Sequence, residues 1–305
     1  MHYERYNTEI DKMRRTELWR RLMLFLRSFV SLPEYIYRHL YFFGAFEIRT
    51  DETRFKFTHI GTPFENNIFW KGITKSWEYQ SVLFWEKLAR NSSVILDVGA
   101  NSGFYSMVSK AINPSSKVFA FEPVPRNAEI LKKNIELNDF DIELNQIAAS
   151  NINGSQMMYD IPDIANNRQA SLSNSNYDEG NTHAIQIESI KLDDFIRENN
   201  IDSLDLIKID VEEHEVEVLE GFKESLTLYQ PALLIEILNR EISIKIEKLL
   251  REAGYAFFLN VSEETGLHEV STLDPKFGRN FFCFTSQEHC QRLSSVNPFI
   301  KEGNF

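Results

Sequence analysis

The sequence predicts an α/β fold: a Rossmann-like, seven-stranded, mostly parallel sheet with helices on both faces, preceded by an N-terminal helical and hairpin extension. Three observations predict it. From Ser93 onward, apolar runs of strand length alternate with segments of helical periodicity, as a parallel sheet requires. The first run, Val94 to Val98, leads into a tight glycine turn and then a helix start. The last two runs follow each other with no helical pattern between them, so the final strand is expected to insert antiparallel.

The N-terminal part reads as an extension. Residues 8–30 are expected to be helical, because Leu18, Leu22, Phe25, Leu26 and Phe29 recur at helical spacing with Arg14, Arg20, Arg21 and Arg27 between them. Phe46 to Arg49 and Phe55 to Phe57 alternate around Thr50-Asp51-Glu52, which suggests a hairpin. Residues 75–90 should form a helix that leads into the first core strand. Domain limits follow: 1–74 for the extension, 75–290 for the main domain and 291–305 for a tail.

In the main domain the expected strands are 94–98, 117–121, 142–148, 204–209, 231–237, 255–261 and 279–285. The expected helices are 103–112, 125–138, 191–199, 214–227 and 240–252. One segment breaks the rhythm. The stretch 161–183 is too polar to bury and too long for a plain connection, so it is either a lid or disordered. Seven strands ending in a hairpin are the class I methyltransferase variant of the doubly wound sheet.

The glycine turn sharpens that choice. A dinucleotide-binding turn needs Gly at its first, third and sixth positions, for close approach to a pyrophosphate and tight helix packing. Counting from Gly99, those positions hold Asn101 and Phe104, and the second glycine is Gly103. Such a loop suits a nucleoside ligand without phosphates, of which S-adenosyl-L-methionine is the common one. A second apolar run, Val118 to Phe121, ends in Glu122-Pro123, and Glu122 lies 23 residues after Gly99. That is close to the roughly 20 expected for the acid that binds both ribose hydroxyls. Asp97, Gly99, Asn101 and Gly103 are therefore expected to line the methionine and ribose region. Glu122 and Pro123 follow at the ribose, and the chain from Asn145 to Ala148 should flank adenine.

Ligands in open α/β sheets sit at the carboxyl ends of strands. Asp97, Glu122, Asp210 and Glu236 all fall at such ends, which is more acid along one rim than solvation needs. These residues also carry a resemblance. Asp97-Val98-Gly99-Ala100-Asn101, Phe121-Glu122-Pro123, Ala148-Ala149-Ser150, Lys208-Ile209-Asp210-Val211-Glu212 and Ile235-Glu236 resemble, in order, the motifs of the FkbM family of S-adenosylmethionine-dependent methyltransferases. The similarity runs over residues 75–285. Upstream, Asn67, Phe69-Trp70-Lys71-Gly72 and Trp77-Glu78 also resemble family members. The resemblance implies O-methylation, often of a sugar or polyketide hydroxyl, and implies that Glu78 reaches the cofactor's amino group. One departure stands out: the family usually has Gly after the acid matching Glu212, and this chain has Glu213.

The chemistry narrows the candidates. Methyl transfer from a sulfonium is an in-line displacement, so positioning supplies most of the rate. A base within hydrogen-bond reach of the acceptor hydroxyl adds roughly 10²–10⁴-fold. Asp210, Glu212 and His214 are the candidates, and they share one side only if the turn that carries them is extended. Asp210 should also orient the acceptor or the cofactor amine. His214 has an ordinary pKa of about 6.5, suited to proton removal near neutrality. Glu212 and Glu215 also fit the bland role of acids favoured at a helix N-terminus.

Composition sets the remaining bounds. A net charge of −12 excludes nucleic acid as the main partner, since backbone binding needs Lys and Arg clusters. Residues 1–38 carry eight Lys/Arg against five Asp/Glu, so that segment is +3 and the remainder −15. A basic amphipathic helix there has two readings: it rests on an anionic membrane or partner, or it packs on the domain with its arginines in water. Two cysteines, Cys283 and Cys290, give neither a disulfide framework nor a metal spacing, so a cytoplasmic setting and no metal are expected. The expected acceptor is a small molecule or glycan. Two rivals stand beside this reading: a nicotinamide-dependent oxidoreductase, against which the missing glycine counts, and a non-catalytic adapter that keeps the fold.

Overall fold

The computed structural model describes residues 9–75, 79–160, 170–171, 183–262 and 266–294. An N-terminal hairpin pairs β1 (Gly44–Arg49) with β2 (Arg54–His59). The main sheet uses β3 (Val94–Val98), β4 (Lys117–Phe121) and β5 (Ile142–Asn145). A separate small sheet follows, of β6 (Ala148–Ala149), β7 (Gly154–Asp160), β8 (Ala170–Ser171) and β9 (His183–Ile190). The chain then returns to the main sheet with β10 (Leu206–Ile209), β11 (Ala232–Glu236), β12 (Phe257–Ser262), β13 (Gly266–Val270) and β14 (Asn280–Phe284).

The main sheet has the order β13-β12-β14-β11-β10-β3-β4-β5. Strands β5, β4, β3, β10 and β11 are parallel, and β14 slips antiparallel between β11 and β12. This is the class I methyltransferase arrangement expected from the sequence, extended by β13 as an eighth strand on the edge. β13 reads Gly-Leu-His-Glu-Val and is nowhere fully buried, so it carries no apolar signal.

Alternation along the strands divides the core. Val94, Leu96 and Val98 of β3 enter one apolar cluster with Leu192, Phe195 and Val218, while Ile95 enters the other with Trp85, Val108 and Leu131. Both faces are buried, as a parallel sheet needs. The second cluster also takes in Met23, Phe42, Phe46 and Phe69, so residues on both sides of position 74 share one core.

The extension is fastened to the main domain through asparagines. Asn138 accepts the Lys56 N–H at 2.7 Å and donates to the Lys56 carbonyl at 2.8 Å. Asn134 accepts the Thr58 N–H at 2.8 Å and donates to the Ser102 carbonyl at 2.8 Å. Two side chains thus satisfy an edge strand that, among the described residues, has no further strand beside it.

Several expected boundaries differ. The helix expected over 8–30 is two helices, Glu9–Arg14 and Glu17–Arg27, because Thr16 caps the second by accepting the Trp19 N–H at 3.2 Å. The helix Pro63–Lys71, with proline in its first turn, was not anticipated. The strand expected over 142–148 stops at Asn145, where the Ile147 N–H turns back to the Asn145 carbonyl at 2.9 Å, and β6 joins the small sheet. The helix expected over 214–227 is two, Glu215–Glu220 and Lys223–Tyr229. Gly221 lies between them, where a Cβ would sit 1.9 Å from the Ser150 carbonyl oxygen. The helix Gln287–Ser294 crosses the limit expected at 290. Of the polar stretch 161–183, all but β8 and the first residue of β9 lies outside the described residues, as do Glu78 and the end of the C-terminal tail.

Candidate active site

The cleft opens where β3, β4 and β10 end. Asp97 sits at its base, buried, with one carboxylate oxygen accepting the Ser106 N–H at 2.9 Å and the Ser106 hydroxyl at 2.6 Å. Burial raises its pKa, opposed by the charge of Lys208. Asp97 therefore ties the glycine loop to the helix Phe104–Ile112 and stands behind the cleft wall.

The two glycines of the loop serve close approach. Gly99 has φ +78°, and a Cβ there would lie 1.8 Å from the Asp210 carbonyl oxygen, so the loops after β3 and β10 can close only over glycine. Gly103 has φ +85°, and a Cβ would lie 2.0 Å from Leu131 Cδ1. Gly103 thus packs helix against helix and does not line the cleft, unlike Gly99 and Asn101. Asn101 adopts φ +50° and presents its N–H to Glu122 at 2.8 Å.

Glu122 is the hub of this half. Its other carboxylate oxygen accepts the Val124 N–H at 2.9 Å and the Asn127 side-chain amide at 3.4 Å. Burial pushes its pKa up to about 7 against those donors. The Asn127 side-chain oxygen is buried, has no hydrogen-bond partner among the described residues, and belongs to a residue that lines the cleft. Pro123, Ile147, Ala148 and Met158 add apolar walls nearby. Asn145, expected beside the adenine, is not on the wall; its carbonyl accepts the Glu122 N–H at 3.1 Å from behind. A carboxylate, an unpaired amide acceptor and an apolar slot at the end of β4 fit an adenosyl group: diol, donor and flat ring.

The other half is a cluster of acids with Lys208 in its midst and Arg279 near enough to act on Glu212. Lys208 Nζ lies 2.6 Å from Asp210 Oδ2 and 5.0 Å from the centre of the Tyr105 ring. Asp210 and Glu236 share a hydrogen bond. Burial works against the Asp210 charge, but Lys208 and that hydrogen bond hold its pKa below the usual range. Burial, with the Asp210 charge beside it, pushes Glu236 up to about 10, so Glu236 is the partner that carries the proton. Burial and Asp210 likewise push Glu212 up to about 7.

The turn after Asp210 is not extended. Glu212 and Glu213 both lie in the left-handed region, at φ +54° and +71°. Glu213 thus takes the backbone conformation that suits the family's glycine, at a cost of roughly 1–2 kcal/mol for a residue with a Cβ. Glu215 offsets part of it by accepting the Val211 and Glu213 N–H groups at 3.2 and 3.3 Å. Asp210, Glu212 and His214 all line the cleft even so. His214 Nε2 is 3.0 Å from the Ser150 hydroxyl, Nδ1 is 3.5 Å from Glu217, and burial lowers its pKa.

Four contributors escaped the sequence reading. Lys208 and Asp210 are two apart at the end of a strand, and that period of two was available as a signal. Asn127 and Met158 gave none, because their helix and strand reach the cleft only through folding. Glu215 carries in the sequence only the signal of a helix-start acid. Among the described residues, no group of three or more His, Cys, Asp or Glu side chains is arranged to hold a metal ion.

Comparison with known proteins identifies the family. The family model described as the methyltransferase FkbM domain matches residues 97–257. Methyltransferase sdnD of Sordaria araneosa is 28% identical over 188 residues, 53% of this chain and 73% of that protein. The 2-O-methyltransferase NoeI of Sinorhizobium fredii is 31% identical over 150 residues, 46% of this chain and 61% of that protein. The hexuronic acid methyltransferase AglP of Haloferax volcanii is 26% identical over 165 residues, 54% of this chain and 64% of that protein. The chain thus spans less than two thirds of the length of the last two.

Proposed function

The chain belongs to the FkbM methyltransferase family, and we propose that it is an S-adenosylmethionine-dependent O-methyltransferase acting on a hydroxyl of a sugar, glycan or related small metabolite. The observation that carries the cofactor half is Glu122, the acid at the end of β4, beside the unpaired Asn127 oxygen. The acceptor half is supported by the polar wall of Asp210, Glu212 and His214 and by the names of NoeI and AglP.

S-adenosylmethionine supplies an electrophilic methyl on a sulfonium when bound. Glu122 and Asn127 hold the nucleoside end, and Gly99 and Asn101 form the loop against which the rest lies. Asp210, kept ionised by Lys208 and Glu236, orients a positively charged or hydroxyl group at the reacting end. Glu212 takes the acceptor proton: it faces the cleft, and its carboxyl ionises near neutrality. His214 is neutral, tethered to Ser150, and positions the turn. The test is mass spectrometry of sugar and glycan extracts incubated with the protein and S-adenosylmethionine. A gain of one methyl on an oxygen supports the reading. Transfer to nitrogen or carbon, or no transfer to any acceptor, counts against it.

A further inference from the structure

The helix Glu17–Arg27 has apolar residues on two faces, and only one of them is used by the fold. Trp19, Met23 and Leu26 pack into the core. Trp19 donates its indole N–H to the Tyr41 carbonyl at 3.0 Å, and Arg20 donates to the Ala45 carbonyl at 2.9 Å, so the helix is fixed to the body. On another side Leu18, Leu22, Phe25 and Phe29 form one stripe at spacings of four, three and four. Leu18 is 79% exposed, Phe25 61% and Phe29 72%. The two phenylalanine rings pack together at 4.7 Å and face water as a pair. Val30, Tyr35 and Ile36, which follow shortly in the chain, are exposed as well. Scattered single apolar residues need no account, but four in register along a helix and the turn that ends it do.

The charge around the stripe suggests what covers it. Residues 9–38 carry seven basic against four acidic residues on a chain whose net charge is −12. Arg15, Arg21 and Arg38 are exposed there. Glu17 pairs with both Arg20 and Arg21, so one carboxylate balances only one of the two cations. An anionic surface would repel the rest of the molecule and attract this segment, which fixes orientation as well as binding. Among the described residues no helix is long and apolar enough to cross a membrane. We propose that the stripe Leu18–Leu22–Phe25–Phe29 with its arginine flank docks the protein flat on an anionic lipid bilayer, aromatic pair inserted and cations at the headgroups.

The test uses the full chain and co-sedimentation with vesicles. Mixed phosphatidylcholine–phosphatidylglycerol vesicles at low salt should bind at least about tenfold more protein than pure phosphatidylcholine, and high salt should release much of it. The double variant Phe25→Glu/Phe29→Glu alters exposed side chains only, so its melting temperature should match wild type while vesicle binding is lost. Arg21→Glu should weaken binding to anionic vesicles alone. Three results would overturn the proposal: no binding to anionic vesicles, equal binding by wild type and the double variant, or a dimer in solution that the double variant dissolves while vesicles bind neither.

Discussion

The carboxylate of Glu122 accepts the backbone N–H of Asn101 at 2.8 Å, so the acid that ends β4 also fastens the loop that follows β3. Two features that stand apart in the sequence are therefore one device. The loop is further clamped by the Gly99 and Ala100 N–H groups, which both reach the Phe121 carbonyl at 3.0 and 2.9 Å. A ligand that reaches Glu122 from the cleft meets a carboxylate already held in place by these donors, and little ordering remains to be done on binding.

Asn127 separates binding from stability. Its side-chain oxygen makes no hydrogen bond among the described residues, and its amide makes one long contact to Glu122. Asn127→Ala should leave the melting temperature within a degree or two of wild type. It should weaken S-adenosylhomocysteine by roughly 0.5–1.5 kcal/mol, the worth of one hydrogen bond. Calorimetric titration and thermal melting on the same samples check both halves. Unchanged affinity would remove Asn127 from the site.

The pH dependence of turnover distinguishes the two candidate bases. Glu212 is pushed up to about 7, so as base it gives a rate that rises with pH through about 7. His214 is lowered by burial from its ordinary value, so as base it would give a rise centred at lower pH than that of Glu212. Glu212→Gln should cut kcat by roughly 10²-fold or more and flatten the profile. His214→Gln should cost less and keep the rise. A profile that survives in Glu212→Gln and vanishes in His214→Gln would reverse the assignment.

Glu215 makes stability itself pH-dependent. It is 1% exposed, and burial pushes its pKa up to about 8 despite the backbone N–H groups of Glu215 itself, Val211 and Glu213 that it accepts. The folded state therefore holds its proton more tightly than the unfolded chain does. That contribution is complete below the unfolded value near 4.5 and is lost as pH rises through about 8. Glu215→Gln keeps an acceptor for Val211 and Glu213 but cannot ionise. Thermal melts across pH 5–9 should show the variant losing less stability than wild type in the upper half of that range. Parallel curves would mean that Glu215 is ionised in the folded protein.

Local pattern reached most of the scaffold. Strands β3, β4, β10, β11, β12 and β14 are near-continuous apolar runs buried on both faces, and such runs are readable one segment at a time. The small sheet was only partly readable. β7 mixes Gly154, Ser155 and Gln156 with two methionines and gives no clear pattern, whereas Ile185-Gln186-Ile187-Glu188 of β9 alternates with the strand period of two, a signal the sequence reading passed over; their pairing joins segments more than twenty residues apart. The rim acids were visible because each ends a strand. Their protonation was not, because the pairing of Asp210 with Glu236 comes from the neighbouring strands β10 and β11. Glu213 in a left-handed position was visible only as a departure from the family's glycine, and the structure keeps the glycine-like backbone there.

The most direct measurement is calorimetric titration of wild type and Glu122→Gln with S-adenosylhomocysteine, with NAD as the control ligand. One binding site is expected for S-adenosylhomocysteine and none for NAD. Glu122→Gln, with its fold verified by circular dichroism, should bind weaker by roughly 1–3 kcal/mol. Binding of NAD in place of S-adenosylhomocysteine, or equal affinity in wild type and Glu122→Gln, would overturn the assignment of Glu122 to the cofactor.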